Sequence, residues 1–191
     1  YPLQFVGRNG LHEVIVSTTR PETIGGDVAL AFHPNDDRYN FLFEPNSPKP
    51  LHPLTGNALD VISDSILVDP ALGTGVVKVT PGHDLRDYEC SIRHKLRGIT
   101  VFDDDGKLNE IARDCGMEGQ NRFDSRNLAL EMLKKKRLFR GSRDHAMSIS
   151  RCSRSGDILE PLIKPQWFVS CERLAKVAVD MTGTDESLDS I

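Results

Sequence analysis

A chain of 191 residues, 38% of them hydrophobic and 27% charged, suits one compact domain with room for a small extension and excludes disorder throughout. Its formal net charge of -4 creates no global field that would gather nucleic acid, so any RNA contact must depend on local basic patches. No apolar run reaches the roughly 18 residues of a membrane-spanning helix, and the cysteines Cys90, Cys115, Cys152 and Cys171 are too scattered for a zinc site. They read as reduced, mostly packed thiols of a cytosol-like compartment. The amino-terminal Tyr1-Pro2-Leu3-Gln4-Phe5 has neither a signal pattern nor an initiator methionine and reads as part of a longer protein.

In chain order, the β-branched run from Glu13 to Thr19 predicts a strand that stops at Arg20-Pro21, because proline cannot donate to a ladder. Val28 to Phe32 predicts a second. Residues 44–57, with Pro45, Pro48, Pro50, Pro53 and Gly56, must be loop. Asp60 to Val68 and Val76 to Thr80 predict two further strands, and Asp84 to Leu96 predicts a helix capped by Asp84 with Tyr88, Ile92 and Leu96 on one face. Ile99 to Phe102 reads as a strand that turns at Asp104-Asp105-Gly106. Asp124 to Leu138 reads as a second helix, and 147–152 with 158–163 as a hairpin. Many short strands with few helices predict a mainly β fold, a closed or nearly closed barrel with flanking helices.

The stretch 73–89 carries the most chemistry. A glycine turn leads into a strand that sets Lys78 and Thr80 on one face, since strand residues two apart point the same way. A Pro81-Gly82 break then presents His83, Asp84 and Asp87, the two aspartates being neighbours on a first helical turn. Such a set can hold an ammonium and a hydroxyl together. Gly73-Thr74-Gly75 lacks the third glycine and following helix of a dinucleotide turn. His83-Asp84 comes without a nucleophile elbow, and adjacent residues on a turn rarely orient each other as a triad needs. The basic run Lys134, Lys135, Lys136, Arg137, Arg140 is most simply a solvated helix end that complements the dipole, with phosphate contact as the other reading.

Thr18-Thr19-Arg20-Pro21-Glu22-Thr23, then Gly26-Asp27, then residues 73–89, resemble the editing insertion of the class I valyl-, isoleucyl- and leucyl-tRNA synthetases. The resemblance runs from about Glu13 to Val169. Its details look valyl: Lys78 in Val-Lys-Val-Thr-Pro stands where isoleucyl enzymes usually have histidine, Asp84 where they commonly have glycine, and the run from Ile158 to Val169 is similar to the valyl return path toward the synthetic domain. Gly82, where the valyl pattern usually has alanine, is a departure, as is Gly25 before Gly26 in place of a bulkier residue.

The resemblance implies an editing domain over 1–169 of the barrel type found in those synthetases, and a return segment over 170–191. It implies hydrolysis of the ester of mischarged threonyl-tRNA(Val). Binding alone is a poor filter here, because an apolar pocket built for valine rejects threonine only about a hundredfold, a figure known for the valine enzymes themselves. Asp87, with Asp84 beside it, would form the catalytic pair, Asp87 holding the substrate's α-ammonium. Arg20, Thr23, Lys78 and Thr80 would line the side-chain pocket, with Asp84 at its wall. Thr18, Thr19 and His83 would hold the terminal adenosine of the tRNA. No metal or cofactor is implied for editing. The H-I-G-H and K-M-S-K-S signatures are missing from the sequence, which leaves ATP and magnesium to a synthetic domain elsewhere in the parent. The partners implied are the acceptor end of tRNA(Val) carrying threonine and that synthetic domain, with no membrane, a monomeric domain and the cytoplasm as default location. A docking module without hydrolysis, and isoleucyl- or leucyl-type editing, stay open as alternatives.

Overall fold

The apolar runs pair into two small sheets in a computed structural model that describes residues 2–7 and 10–182, with side chains from Glu13 onward. Strands β1 (Pro2–Gly7) and β2 (Gly10–Ile15) form an antiparallel hairpin. Strand β3 (Ala29–Phe32) lies between β4 (Asp60–Ser63), which runs parallel to it, and β5 (Val76–Val79), which runs antiparallel. All four β3 residues are fully buried, as expected of a central strand covered on both faces. Side-chain alternation sends Leu30 and Phe32 to one side, against Val14, Val16, Leu42, Leu59 and Val76. Ala29 and Ala31 go to the other, against Ile62, Leu67, Val68, Val79 and Cys90. Removing a side chain the size of Phe32 or Leu30 from water contributes roughly 1.5 to 3 kcal/mol each.

A third apolar cluster, with Ile24, Val101, Phe102, Leu108, Met117 and Leu133 at its heart, joins a 3-10 turn over Pro21–Gly26 to helix α2 (Arg122–Lys135). Asn121 caps α2 by accepting from the Phe123 amide, three residues ahead of the cap expected at Asp124. Helix α1 (Leu85–His94) is capped by Asp84 as its sequence predicts. It buries Asp87, Cys90 and Ser91, whereas Tyr88 and Ile92 face solvent. The buried face is therefore polar, and its partners explain why below. Helix α3 (Glu172–Thr182) buries none of its residues.

The expected closed or nearly closed barrel is not formed: the mixed sheet has three strands and remains open. Its strands are four residues long, and closure needs continuous, tilted pairing around the whole circuit. Three predicted strands, 99–102 and the two arms of the 147–152 and 158–163 hairpin, contribute only isolated bridges, Phe102 to Leu108 and Arg151 to Ile158. The backbone of 99–102 has other partners. The Val101 amide donates to His83 Nε2, the Val101 carbonyl accepts from the Asn109 amide, and the Thr100 carbonyl accepts from Asn109 Nδ2. Backbone groups already satisfied by turns and side chains have no need of a ladder. The strand predicted over Asp60 to Val68 likewise ends at Ser63, where Asp64 turns the chain by accepting from the Ile66 and Leu67 amides.

Candidate functional site

Strand β5 and the 3-10 turn after Pro21 meet over a compact polar cluster. Lys78 Nζ lies 2.8 Å from Asp27 Oδ1, 2.5 Å from Thr80 Oγ1 and 3.2 Å from Thr23 Oγ1. Thr80 donates its hydroxyl to the same Asp27 oxygen at 2.7 Å. The Lys78 and Asp27 side chains are only 10% and 1% exposed, so the ion pair is enclosed, which is tolerable only because further hydrogen bonds complete it. Asp87 joins from α1: its Oδ2 accepts the Thr80 amide at 2.8 Å. Burial first of all, with the negative charges of Asp84 and Asp27 adding to it, pushes the Asp87 carboxyl up to about 6 against the opposing pull of the Thr80 amide and Lys78. Asp87 is thus anionic at neutral pH and held at some cost, as a group kept for function often is.

The remaining sequence-predicted residues fall into two groups. Thr23 is in the cluster. Asp84 is exposed and spends its Oδ1 on the Arg86 and Asp87 amides at 2.9 and 3.2 Å, fixing the helical turn that carries Asp87. Arg20 gives NH1 to the His83 carbonyl at 2.7 Å and NH2 to both oxygens of Glu160 at 2.6 and 2.5 Å. His83 is 1% exposed, with its ring between the Val101 amide and Glu160 Oε1 and edge-on to Phe102. Thr18 Oγ1 accepts from the Arg20 amide. Thr19 is exposed, its carbonyl taking a hydrogen bond from Arg126. Thr18 and Thr19 therefore border the cluster through Arg20 without belonging to it.

Three residues of this site escaped sequence reasoning. Asp27 stood in a quoted motif with no role, although it lies just before β3, the strand paired directly with the one that carries Lys78. Glu160 and Arg122 had no local signal, since Glu160 meets Arg20 across 140 positions. Burial works to raise the Glu160 carboxyl, and hydrogen bonds from His83 and Arg20 outweigh it, holding the group below the usual carboxylate range. Arg122 lies over the Phe123 ring and puts NH2 2.9 Å from Glu160 Oε2, while its buried Nε has no hydrogen-bond partner. Leaving such a donor unpaired costs about 1 to 3 kcal/mol.

Two further features lie outside the cluster. Asp64, Cys90 and His94 bring three potential metal ligands within 4.8 Å, with Cys90 and His94 four apart on α1. Asp64 already accepts from two backbone amides, from Arg93 and from His94, and the Arg93 cation opposes a second one there. A cavity of about 310 Å³ is lined by Asp27, His52, Asn57, Asp60, Ile99 and Asp114 among others. It takes Asp27 from the cluster, and Lys78, Thr80 and Asp87 are not among its walls. In the basic run, Lys136 is tied to the Pro53 and Leu54 carbonyls, and Lys134 sits over the Phe139 ring. That helix end is only partly a solvated face.

No family model matches the chain. The fold is similar to that of a LeuRS from Agrobacterium radiobacter solved as a ternary complex with tRNA and LeuAMS, with a TM-score of 0.52 over 71% of this chain and 18% of that one. At 17% identity the likeness speaks for the fold alone. The sequence is 46% identical to "Valine--tRNA ligase, mitochondrial 1" of Arabidopsis thaliana over 98% of this chain, and 48% identical to the mitochondrial valine--tRNA ligase of Saccharomyces cerevisiae over 87%. A mitochondrial valine--tRNA ligase of Sus scrofa is 45% identical over 87%. The chain belongs to the valine--tRNA ligases as their editing-type domain, and spans 16% of the Arabidopsis protein and 15% of the yeast one. These relatives overturn the cytoplasmic default, because all three are mitochondrial enzymes.

Proposed function

We propose that this domain hydrolyses the ester of threonyl-tRNA(Val) within a mitochondrial valine--tRNA ligase. The observation that carries the reading is the convergence of Lys78, Thr80, Thr23 and Asp27 with the carboxylate of Asp87 on the Thr80 amide. Asp87, anionic above about pH 6, supplies the anchor for the substrate's α-ammonium. The Lys78 ammonium and the threonine hydroxyls supply donors and acceptors for the threonine side-chain hydroxyl. Valine in the same place has no hydroxyl to share in this network, so threonine alone gains about 0.5 to 1.5 kcal/mol for each hydrogen bond it makes there, which reverses the preference of an apolar synthetic site. Arg20 forms the adjoining wall, and Asp84 acts by capping the turn beneath Asp87. Thr18 and Thr19 flank the place for the terminal adenosine, with His83 supporting that wall from below.

Hydrolysis would proceed by a water oriented against the ester carbonyl, with donors facing the developing oxyanion. The vicinal ribose hydroxyl of the substrate is suited to help activate that water, and no cofactor is assigned to the step. The test is deacylation of threonyl- and valyl-tRNA(Val) by the intact ligase and its Asp87→Ala variant. Selective loss of threonyl ester, removed by the substitution, is expected. Equal rates on both esters, or undiminished turnover in the variant, would reject the reading. Mischarged tRNAs for isoleucine and leucine, included in the same assay, separate valyl editing from the two related kinds.

A further inference from the structure

We infer that Glu160 is a positioning residue of the editing site: its carboxylate fixes the Arg20 guanidinium and, through His83, the turn that joins Thr80 to Asp87. This rests on the editing reading above. Oε1 accepts from Arg20 NH2 at 2.6 Å and lies 3.0 Å from His83 Nδ1. Oε2 accepts from Arg20 NH2 at 2.5 Å and lies 2.9 Å from Arg122 NH2. A backbone amide can only donate, so the Val101 amide at 2.8 Å leaves His83 Nε2 as acceptor and places the neutral ring's proton on Nδ1, directed at Glu160.

His83 is therefore held twice, its ring by Glu160 and its carbonyl by Arg20 NH1 at 2.7 Å. Its amide closes the turn on the Thr80 carbonyl at 3.1 Å, and the next residue, Asp84, caps the helix that carries Asp87. One carboxylate, 12% exposed and far along the chain, thus sets both sides of the segment from Thr80 to Asp87. Two guanidiniums face it, so a neutral amide of the same shape would leave them without a counter-charge.

In the intact ligase, Glu160→Gln is expected to lower kcat for threonyl-tRNA(Val) deacylation about tenfold with KM nearly unchanged, since displaced groups cost rate more than binding. Valine charging should be unaffected, and Glu160→Asp, which keeps the charge but withdraws it by one methylene, should recover part of the loss. An unchanged kcat in the Gln variant of a ligase that does edit would overturn the inference while leaving the editing reading standing. A wild-type ligase that deacylates nothing would fail that reading first, and this inference with it. A loss that only follows the fraction of folded protein by circular dichroism would make Glu160 merely structural and also overturns the inference. Should the Gln variant not fold, the Asp variant decides, and full kcat there overturns it.

Discussion

Lys78 and Asp27 form an ion pair at 2.8 Å whose two side chains are almost wholly shielded from water, and Thr80 bridges them by contacting both. Removing one member of such a pair leaves the other charged and desolvated. Lys78→Met should therefore lower stability by about 3 kcal/mol, read from urea unfolding. Adding Asp27→Asn should cost at least about 1 kcal/mol less than the two single losses combined. Strict additivity would mean the pair is not coupled.

Asp87 should show opposite signs in stability and function. Its folded value of about 6 stands above the ordinary value of about 4, so its stabilising contribution is full below about pH 4 and lost as pH rises through 6. Relative to wild type, Asp87→Asn should gain roughly 2 to 3 kcal/mol between pH 4 and 7, measured by denaturant unfolding at each pH. Deacylation by the variant should be abolished, and wild-type deacylation should fall as the pH drops below about 6. A flat stability difference across this range would show that Asp87 is not perturbed.

Asp64 should act in the other direction. Burial raises its carboxyl, but the Leu67 amide, Arg93, Cys90 and His94 outweigh this and hold it well below the usual range. Its contribution is present above about pH 4 and lost as pH falls through the lowered value. Asp64→Ala should cost about 2 to 4 kcal/mol at pH 7, and the gap from wild type should narrow in acid. A gap that widens toward pH 3 would contradict this linkage.

Gly82 is required by contact. A Cβ built there would lie 2.1 Å from the Ile99 carbonyl oxygen and 2.7 Å from its carbon, both backbone atoms. Gly82→Ala should therefore cost at least about 2 kcal/mol, seen as a lower midpoint in thermal unfolding, even though alanine is the usual residue of the valyl pattern at this position. Wild-type stability in that variant would mean that the 99–101 segment moves freely.

The motifs were legible because chemistry and local geometry coincide within a few residues. Lys78 lies two residues before Thr80 and contacts it, Asp84 caps the helix that bears Asp87, and Pro21 opens the 3-10 turn, although the strand expected to reach Thr19 already ends at Ile15. The barrel was not legible in the same way. A β-branched run shows that a segment favours extended backbone, but whether its amides find a neighbouring strand or a side chain depends on distant residues. At 99–102 the partners turned out to be His83 and Asn109. The polar burial of α1 misled for a related reason: Tyr88 and Ile92 gave the apolar stripe, yet Asp87 and Cys90 had the buried partners.

By itself the sequence determined the family, the polar set around Lys78 and Asp87, and the helix start that positions it, since each is written in residues that are close along the chain. Tertiary structure alone decided that the mixed sheet stays open, that Asp27 neutralises Lys78, and that Glu160 gathers Arg20, Arg122 and His83. Charges find their counter-charges through space, and across more than 100 positions no local pattern records which carboxylate will arrive.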